Sequence, residues 1–258
     1  MNVHAAAALL DLGVDVLGVY DEGAQSVSPR YRGKWQTATK IGTAGQISVE
    51  KVAAVHPDLI IGVDYDYNTK VYGQLSELAP TVIAAATGWQ QIARTVANAV
   101  DRTAKLAALA QQLTQQSAAI KSRYAGTLAR YRWDILQGGV GTGQYWLYGP
   151  GSDIGQILAG AGVRFATGTA QTRGTGNRAL SYEKIDALAD ADVLGFYSNY
   201  DGTPNNEAPQ LFAQQAFKNL AASRNDRLVP FPDFLPGGYG DALAVLDELE
   251  AGLEKLSD

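Results

Sequence analysis

Cysteine is absent from the 258 residues, histidine occurs only at His4 and His56, and methionine occurs once. Without a thiol there is no disulfide, no thiolate nucleophile and no CxxC redox pair. Two histidines alone make none of the Cys/His zinc patterns. A Ser-His-Asp arrangement lacks its base for the same reason, since His56 stands before Pro57 at a helix-to-strand turn and His4 lies near the amino end. Excess positive charge is also missing. Lys and Arg number 21 against 26 Asp and Glu, a net charge of −5, so the basic face that phosphate backbones require is not available and nucleic acid is not an expected partner. Long apolar runs are lacking too: Ala5 to Leu10 is six residues, against the ~20 that span a bilayer. The opening residues show no basic stretch and no small-residue cleavage site, so a secretory signal is expected to lie outside this sequence.

What is present is an ordinary globular mixture, 46% hydrophobic and 18% charged, which argues against disorder or a fibrous repeat. Helix-like and strand-like segments alternate. Ala5 to Leu12 reads as a helix stopped by Gly13, followed by a strand Val16 to Val19 and a polar, glycine-containing loop Asp21 to Lys40. A helix Ile47 to Val55 capped by Ser48, a buried strand Leu59-Ile60-Ile61 and a strand Thr81 to Ala84 come next. From about Asp101 to Arg130 there is no proline and one glycine, and Leu106, Leu109, Leu113, Ile120 and Tyr124 recur at helical spacing, which predicts one long amphipathic helix. Beyond it the alternation restarts with strand Arg132 to Gln137, helices Ile154 to Ala161 and Tyr182 to Leu188, strands Val193 to Phe196 and Leu228 to Pro230, and a last helix Asp241 to Leu256. The expected class is α/β: two Rossmann-like lobes with parallel sheets, residues 1–98 and 131–258, joined by one long α-helix, residues 99–130.

The two lobes echo each other. Ser48-Val49-Glu50-Lys51-Val52-Ala53-Ala54-Val55 aligns with Ser181-Tyr182-Glu183-Lys184-Ile185-Asp186-Ala187-Leu188, and each is followed by an aspartate and an apolar strand, Asp58-Leu59-Ile60-Ile61 and Asp192-Val193-Leu194-Gly195. Upstream, Leu9-Leu10-Asp11-Leu12-Gly13-Val14 faces Ile157-Leu158-Ala159-Gly160-Ala161-Gly162-Val163. Two similar α/β lobes are the economical explanation, against the alternative that amphipathic helices before strands look alike by chance.

Motifs for catalysis are weak. Gly138-Gly139-Val140-Gly141-Thr142-Gly143 follows a strand but matches neither dinucleotide nor P-loop spacing. Ser152, after Gly149-Pro150-Gly151, reads as a helix cap rather than a nucleophile. The 23 aromatic residues carry more information. Most fall in segments that follow strands or flank those loops, where open parallel sheets bind ligands, so aromatics from both lobes are expected to line one shared cleft. Candidates are Trp35, Tyr65, Tyr67, Tyr145, Trp146 and Tyr197. Arg173 and Arg178 precede the second Ser-x-Glu; they are either solvated loop charges or donor forks for ligand oxygens.

Leu9 to Val19, Ile41-Gly42, Val49 to Ile61, Ser152-Asp153-Ile154-Gly155-Gln156-Ile157-Leu158 and Leu180 to Ile185 resemble the solute-binding proteins that serve ABC importers for ferric siderophores, heme and cobalamin. The resemblance covers nearly the whole chain. It implies a non-enzymatic, monomeric periplasmic or cell-surface protein with no intrinsic cofactor or metal site, whose ligand is a small-molecule iron chelate and whose partner is an ABC importer permease. It also implies that Glu50 and Glu183, matching the family's glutamate on each lobe, pair with permease arginines. A ferric siderophore of hydroxamate type is favoured, because a highly charged tricatecholate calls for a denser basic cluster than this chain offers. Heme or cobalamin, and from a different class a cytoplasmic α/β enzyme, are the alternatives. Members of the family usually begin with a strand before the first helix, whereas this sequence begins at that helix; a trimmed signal and strand, or a member without them, is expected.

Overall fold

The computed structural model describes residues 3–21, 23, 27–43, 45–139, 141, 143–170, 176–205 and 207–257. The chain divides into two compact units: Met1–Gln111 with Pro236–Asp241, and Gln112–Leu235 with Ala242–Asp258.

In the first unit, β1 (Gly18–Asp21) pairs in parallel with β2 (Thr39–Thr43), and β3 (Gln46–Ile47) returns antiparallel to β2. A separate parallel pair is formed by β4 (Ile60–Val63) and β5 (Thr81–Ala84). The helix Val3–Asp11 leads into β1 through Gly13, whose φ of 75° is open to glycine at no steric cost; the Gly13 amide donates to Leu10 O and Val14 to Leu9 O, closing the helix end. Tyr20, Ile41, Val52 and Leu75 form a buried cluster against which Ile47, Ile60 and Tyr67 pack.

The region read as a loop from Asp21 to Lys40 instead contains a helix, Pro29–Thr37, and the start of β2. Pro29 lies in the first turn, where its missing N–H costs nothing. Only Tyr31 and Trp35 of that helix are buried. One i, i+4 pair amid polar residues leaves little periodic signal, which is why the helix escapes a reading by hydrophobicity.

The second unit is built on a six-stranded mixed sheet in the order β11-β10-β6-β7-β9, with β8 also on β6. The strands are β6 (Arg132–Gly138), β7 (Gln144–Tyr148), β8 (Arg164–Phe165), β9 (Asn177–Ser181), β10 (Val193–Tyr197) and β11 (Leu228–Phe231). β6 is parallel to β8 and β10, and β10 to β11. The hairpin partner β7 is antiparallel to β6 and to β9. The glycine-rich stretch Gly138 to Gly143 thus joins β6 to β7, and Gly139 N donates to Gln144 O across the join. β6 is buried from Trp133 to Gly138, the pattern of a strand covered on both faces. Towards β11, the amides of Leu194 in β10 and of Ser198 just beyond it donate to Arg227 O and Phe231 O. By the two-residue period, Pro230 therefore turns its nitrogen away from the sheet.

The predicted helix over 101–130 is two: Thr103–Arg123 and Ala125–Arg130, with Tyr124 at φ −107°, ψ 24° between them. Tyr124 is anchored by its hydroxyl, which donates to a Glu254 carboxylate at 3.2 Å, and Gly126 weakens the helix just beyond. Main-chain bonds Tyr124 N to Ile120 O and Leu128 N to Tyr124 O run through the kink.

Candidate ligand-binding site

In the second unit the alternation of β7 sorts its aromatics. Tyr145 and Leu147 are fully buried and join Leu136, Ile185, Leu188 and Phe196 in the core. The Tyr145 hydroxyl is used inside the protein, donating to Lys184 O at 2.6 Å. Tyr145 is therefore not a ligand contact, contrary to the sequence reading; its neighbour one residue on faces the other way. Trp146 and Tyr148, on the opposite face, are half-buried. Trp146 lies in register with Gln137 on β6 and Ala179 on β9. The Tyr148 hydroxyl donates to Gln137 Oε1 at 2.6 Å.

Phe234, fully buried, ties this face to the carboxyl end of β10. Tyr148 meets its ring edge-on with centroids 4.8 Å apart, and the Tyr197 ring lies 5.3 Å from it at 30°. Beyond them the Tyr200 hydroxyl donates to Asp233 Oδ1 at 3.0 Å. Burial pushes the Tyr148 phenol up to about 12, and the Tyr197 phenol also rises through burial, so both are neutral O–H groups at physiological pH. The result is a half-open wall of planar rings with neutral hydroxyls, held by one buried phenylalanine. Tyr148, Phe234 and Gln137 were not among the expected site residues. The signal for Tyr148 was there, because it shares the two-residue phase of Trp146 and not that of Tyr145.

Arg178 lies on β9 with its Nη2 donating to Gly168 O at 3.0 Å, and its Nε is buried without a hydrogen-bond partner. It belongs to a buried polar nest with Asp134, whose Oδ1 accepts from Thr169 N at 3.2 Å while Oδ2 has no hydrogen-bond partner. Arg173 lies outside the described residues. Burial raises Asp134 to about 6. Its folded pKa thus lies above the ordinary carboxylate range, so its contribution to stability is complete below about pH 4 and lost as pH rises through about 6. Urea midpoints should show this: between pH 4 and pH 7 the native chain loses about 3 kcal/mol more than an Asp134→Asn variant.

In the first unit, Tyr65 follows β4 and is stacked on Tyr67, with centroids 5.6 Å apart at 25°. Both are half-buried. Tyr67 leans in turn on Tyr20 at 6.0 Å, whose hydroxyl donates to Asn68 Oδ1, and Asn68 Nδ2 donates to Val63 O at 2.6 Å. These bonds fix the turn after β4 and present Tyr65. Trp35 differs from expectation. It is buried, its Nε1 donates to Tyr20 O at 3.1 Å, and the Lys40 ammonium covers its ring at 3.9 Å, so no face remains for a ligand. Its place on the helix Pro29–Thr37 rather than on a loop is the reason.

Glu50 and Glu183 are both exposed and lie in the first turn of their elements. Ser48 caps the first, its Oγ accepting from Lys51 N at 3.2 Å and donating to Glu50 Oε2 at 3.2 Å. The second element, Tyr182–Leu188, is 3₁₀ rather than α, and Ser181 makes no side-chain cap.

A family model described as periplasmic binding protein matches residues 5–233. The chain belongs to the periplasmic binding proteins. A Bacillus subtilis protein named as an ABC transporter substrate-binding lipoprotein, YhfQ, is 42% identical over 76 residues; the match spans 29% of this chain and only 23% of the relative. The siderophore periplasmic binding protein from the fuscachelin gene cluster of Thermobifida fusca shares the fold with a TM-score of 0.85 at 22% identity, over 98% of this chain and 95% of that one. FhuD2 of Staphylococcus aureus with bound ferrioxamine B gives a TM-score of 0.81 at 20% identity, over 100% of this chain and 98% of that one. This periplasmic binding protein has no helix, among the described residues, long and apolar enough to cross a membrane.

Proposed function

We propose that this periplasmic binding protein captures an intact ferric siderophore of hydroxamate type outside the cytoplasm and delivers it to an ABC importer permease, without catalysing a reaction. The observation that carries the reading is the half-open aromatic wall of Trp146, Tyr148 and Tyr197 backed by Phe234. Planar rings suit the bulky outer surface of a preformed chelate, and neutral phenols donate to its oxygens without requiring a dense basic cluster. The relatives agree in kind, one named for a siderophore gene cluster and another holding ferrioxamine B. Tyr65, with Tyr67 behind it, supplies the first unit's aromatic surface. Residues 99–130 are proposed as the linker between lobes 1–98 and 131–258.

Titration of tryptophan fluorescence with ferrioxamine B, a ferric tricatecholate, heme and cobalamin tests the reading. The hydroxamate should bind most tightly. Alanine at Trp146, Tyr148 or Tyr197 should each weaken it by about 1 kcal/mol, roughly fivefold, with Tyr65→Ala in the same range. Tighter binding of the tricatecholate or of heme, or unchanged affinity in a combined Trp146, Tyr148 and Tyr197 alanine variant, overturns it.

A further inference from the structure

At its rim the aromatic wall of the second unit carries a carboxylate. Asp233, the residue before Phe234, is 7% exposed. Burial first, and the Asp233 charge second, raise the Tyr197 phenol, so that charge acts on the wall from a place where water screens it poorly. The Asp233 N–H donates to Glu248 Oε1 at 3.2 Å, which brings a second carboxylate up behind the first. Arg178, the basic side chain expected at the site, is turned away into its nest with Gly168 O and Asp134.

Tyr200 carries the sign of this charge to the surface. After β10 the chain makes a tight turn, in which Asn199 N donates to Thr203 O at 2.7 Å and Gly202 N to Asn199 O at 2.9 Å. Asp201 serves the turn itself, its Oδ1 accepting from Thr203 N at 2.9 Å. Tyr200, held in that turn, is 39% exposed, and its hydroxyl donates to Asp233 Oδ1 at 3.0 Å. A phenol that donates to a carboxylate is polarised towards its ring, and an electron-rich ring open to solvent attracts cations. Leu235, one residue beyond Phe234 and 51% exposed, adds apolar surface of the kind an alkyl arm covers.

We propose that the Tyr200 ring backed by the Asp233 carboxylate is a cation subsite at the rim of the wall, and that the ligand is a ferric hydroxamate bearing a free ammonium on a flexible alkyl arm. The inference rests on the siderophore reading and narrows it from a type of chelate to a net charge. In a ferric trihydroxamate the hydroxamate anions balance the metal, so a pendant ammonium makes the whole complex cationic, opposite in sign to the rim. A ferric tricatecholate meets repulsion at the same place. A bond between Tyr200 and Asp233 that only held the turn would be indifferent to what the arm carries.

Fluorescence titration with ferrioxamine B, whose terminal amine is free, and with its N-acetylated form, which has the same iron centre and no charge, is the test. The native chain should bind the free amine about tenfold more tightly. Asp233→Asn and Tyr200→Leu should each bring that ratio to within about twofold of unity, whereas Tyr200→Phe, which keeps the ring and loses its bond to the carboxylate, should leave about threefold. The ratio is the readout because general damage to the fold weakens both chelates alike. A native ratio near one, or a tenfold ratio that survives both Asp233→Asn and Tyr200→Leu, overturns the cation subsite and leaves the siderophore reading standing. Binding of neither chelate overturns both.

Discussion

Alanine at both Glu50 and Glu183 should abolish uptake in cells and stimulation of the importer's ATPase in vesicles, while ferrioxamine B affinity stays within about twofold. Both carboxylates are exposed and lie at the same point of the repeated unit. Their local roles are small. A glutamate in the first turn of a helix contributes ~0.3 to 1 kcal/mol through the helix dipole, and its contact with Ser48 is at the solvent-exposed surface. Loss of these terms leaves the fold standing. If the two charges dock on permease arginines as proposed, removing both removes steering and register together, which is why the expected effect is loss rather than weakening. Single variants should fall between. Normal transport by the double variant, or loss of ligand affinity with it, would show that the carboxylates serve another purpose.

The second large effect separates two adjacent aromatics. Tyr145→Ala empties a fully buried site in the core of the second unit and leaves Lys184 O without its donor. The expected cost is ~3 to 5 kcal/mol, a fall in melting temperature on the order of 10 °C. Tyr145→Phe keeps the ring and should lose only ~1 kcal/mol. Trp146→Ala, one residue along, should do the opposite, with ligand affinity falling about fivefold and a much smaller loss of stability. Thermal melts and fluorescence titrations on the three variants check both halves. A Tyr145→Phe variant that binds poorly while melting normally would return Tyr145 to the ligand site.

The strands and helices with strong apolar period were legible in the sequence: β4, β5, β6, β10 and the helices Val3–Asp11 and Asp153–Gly160 all stand within a few residues of their expected places. So was the Ser152 cap, whose Oγ accepts from Gly155 N at 3.0 Å. Elements held by few apolar contacts were not. The helix Pro29–Thr37 buries two side chains, and β9, with no residue fully buried, carries no clear pattern. For the proposed site, a preference of aromatics for strand ends pointed to the neighbourhood of the Trp146, Tyr148 and Tyr197 wall. It did not tell a ligand face from a core face. On β7 that distinction is one residue of phase, and it became visible only once Tyr145 was seen against Leu136 and Phe196. For Trp35 the error was upstream, a helix taken for a loop.

Pro230 has a bearing on how this protein behaves when concentrated. It stands on the outermost strand of the larger sheet with its nitrogen pointing outwards. At that position the ring removes no bond from the molecule's own ladder, yet it withholds the donor that an approaching chain would need. Only Leu228 is left to offer an outward N–H on that short rim, too little to template a further row. Growth of stacked, fibril-like ribbons from this side is thereby blocked at the level of the backbone, so crowding does not zip the sheets together there.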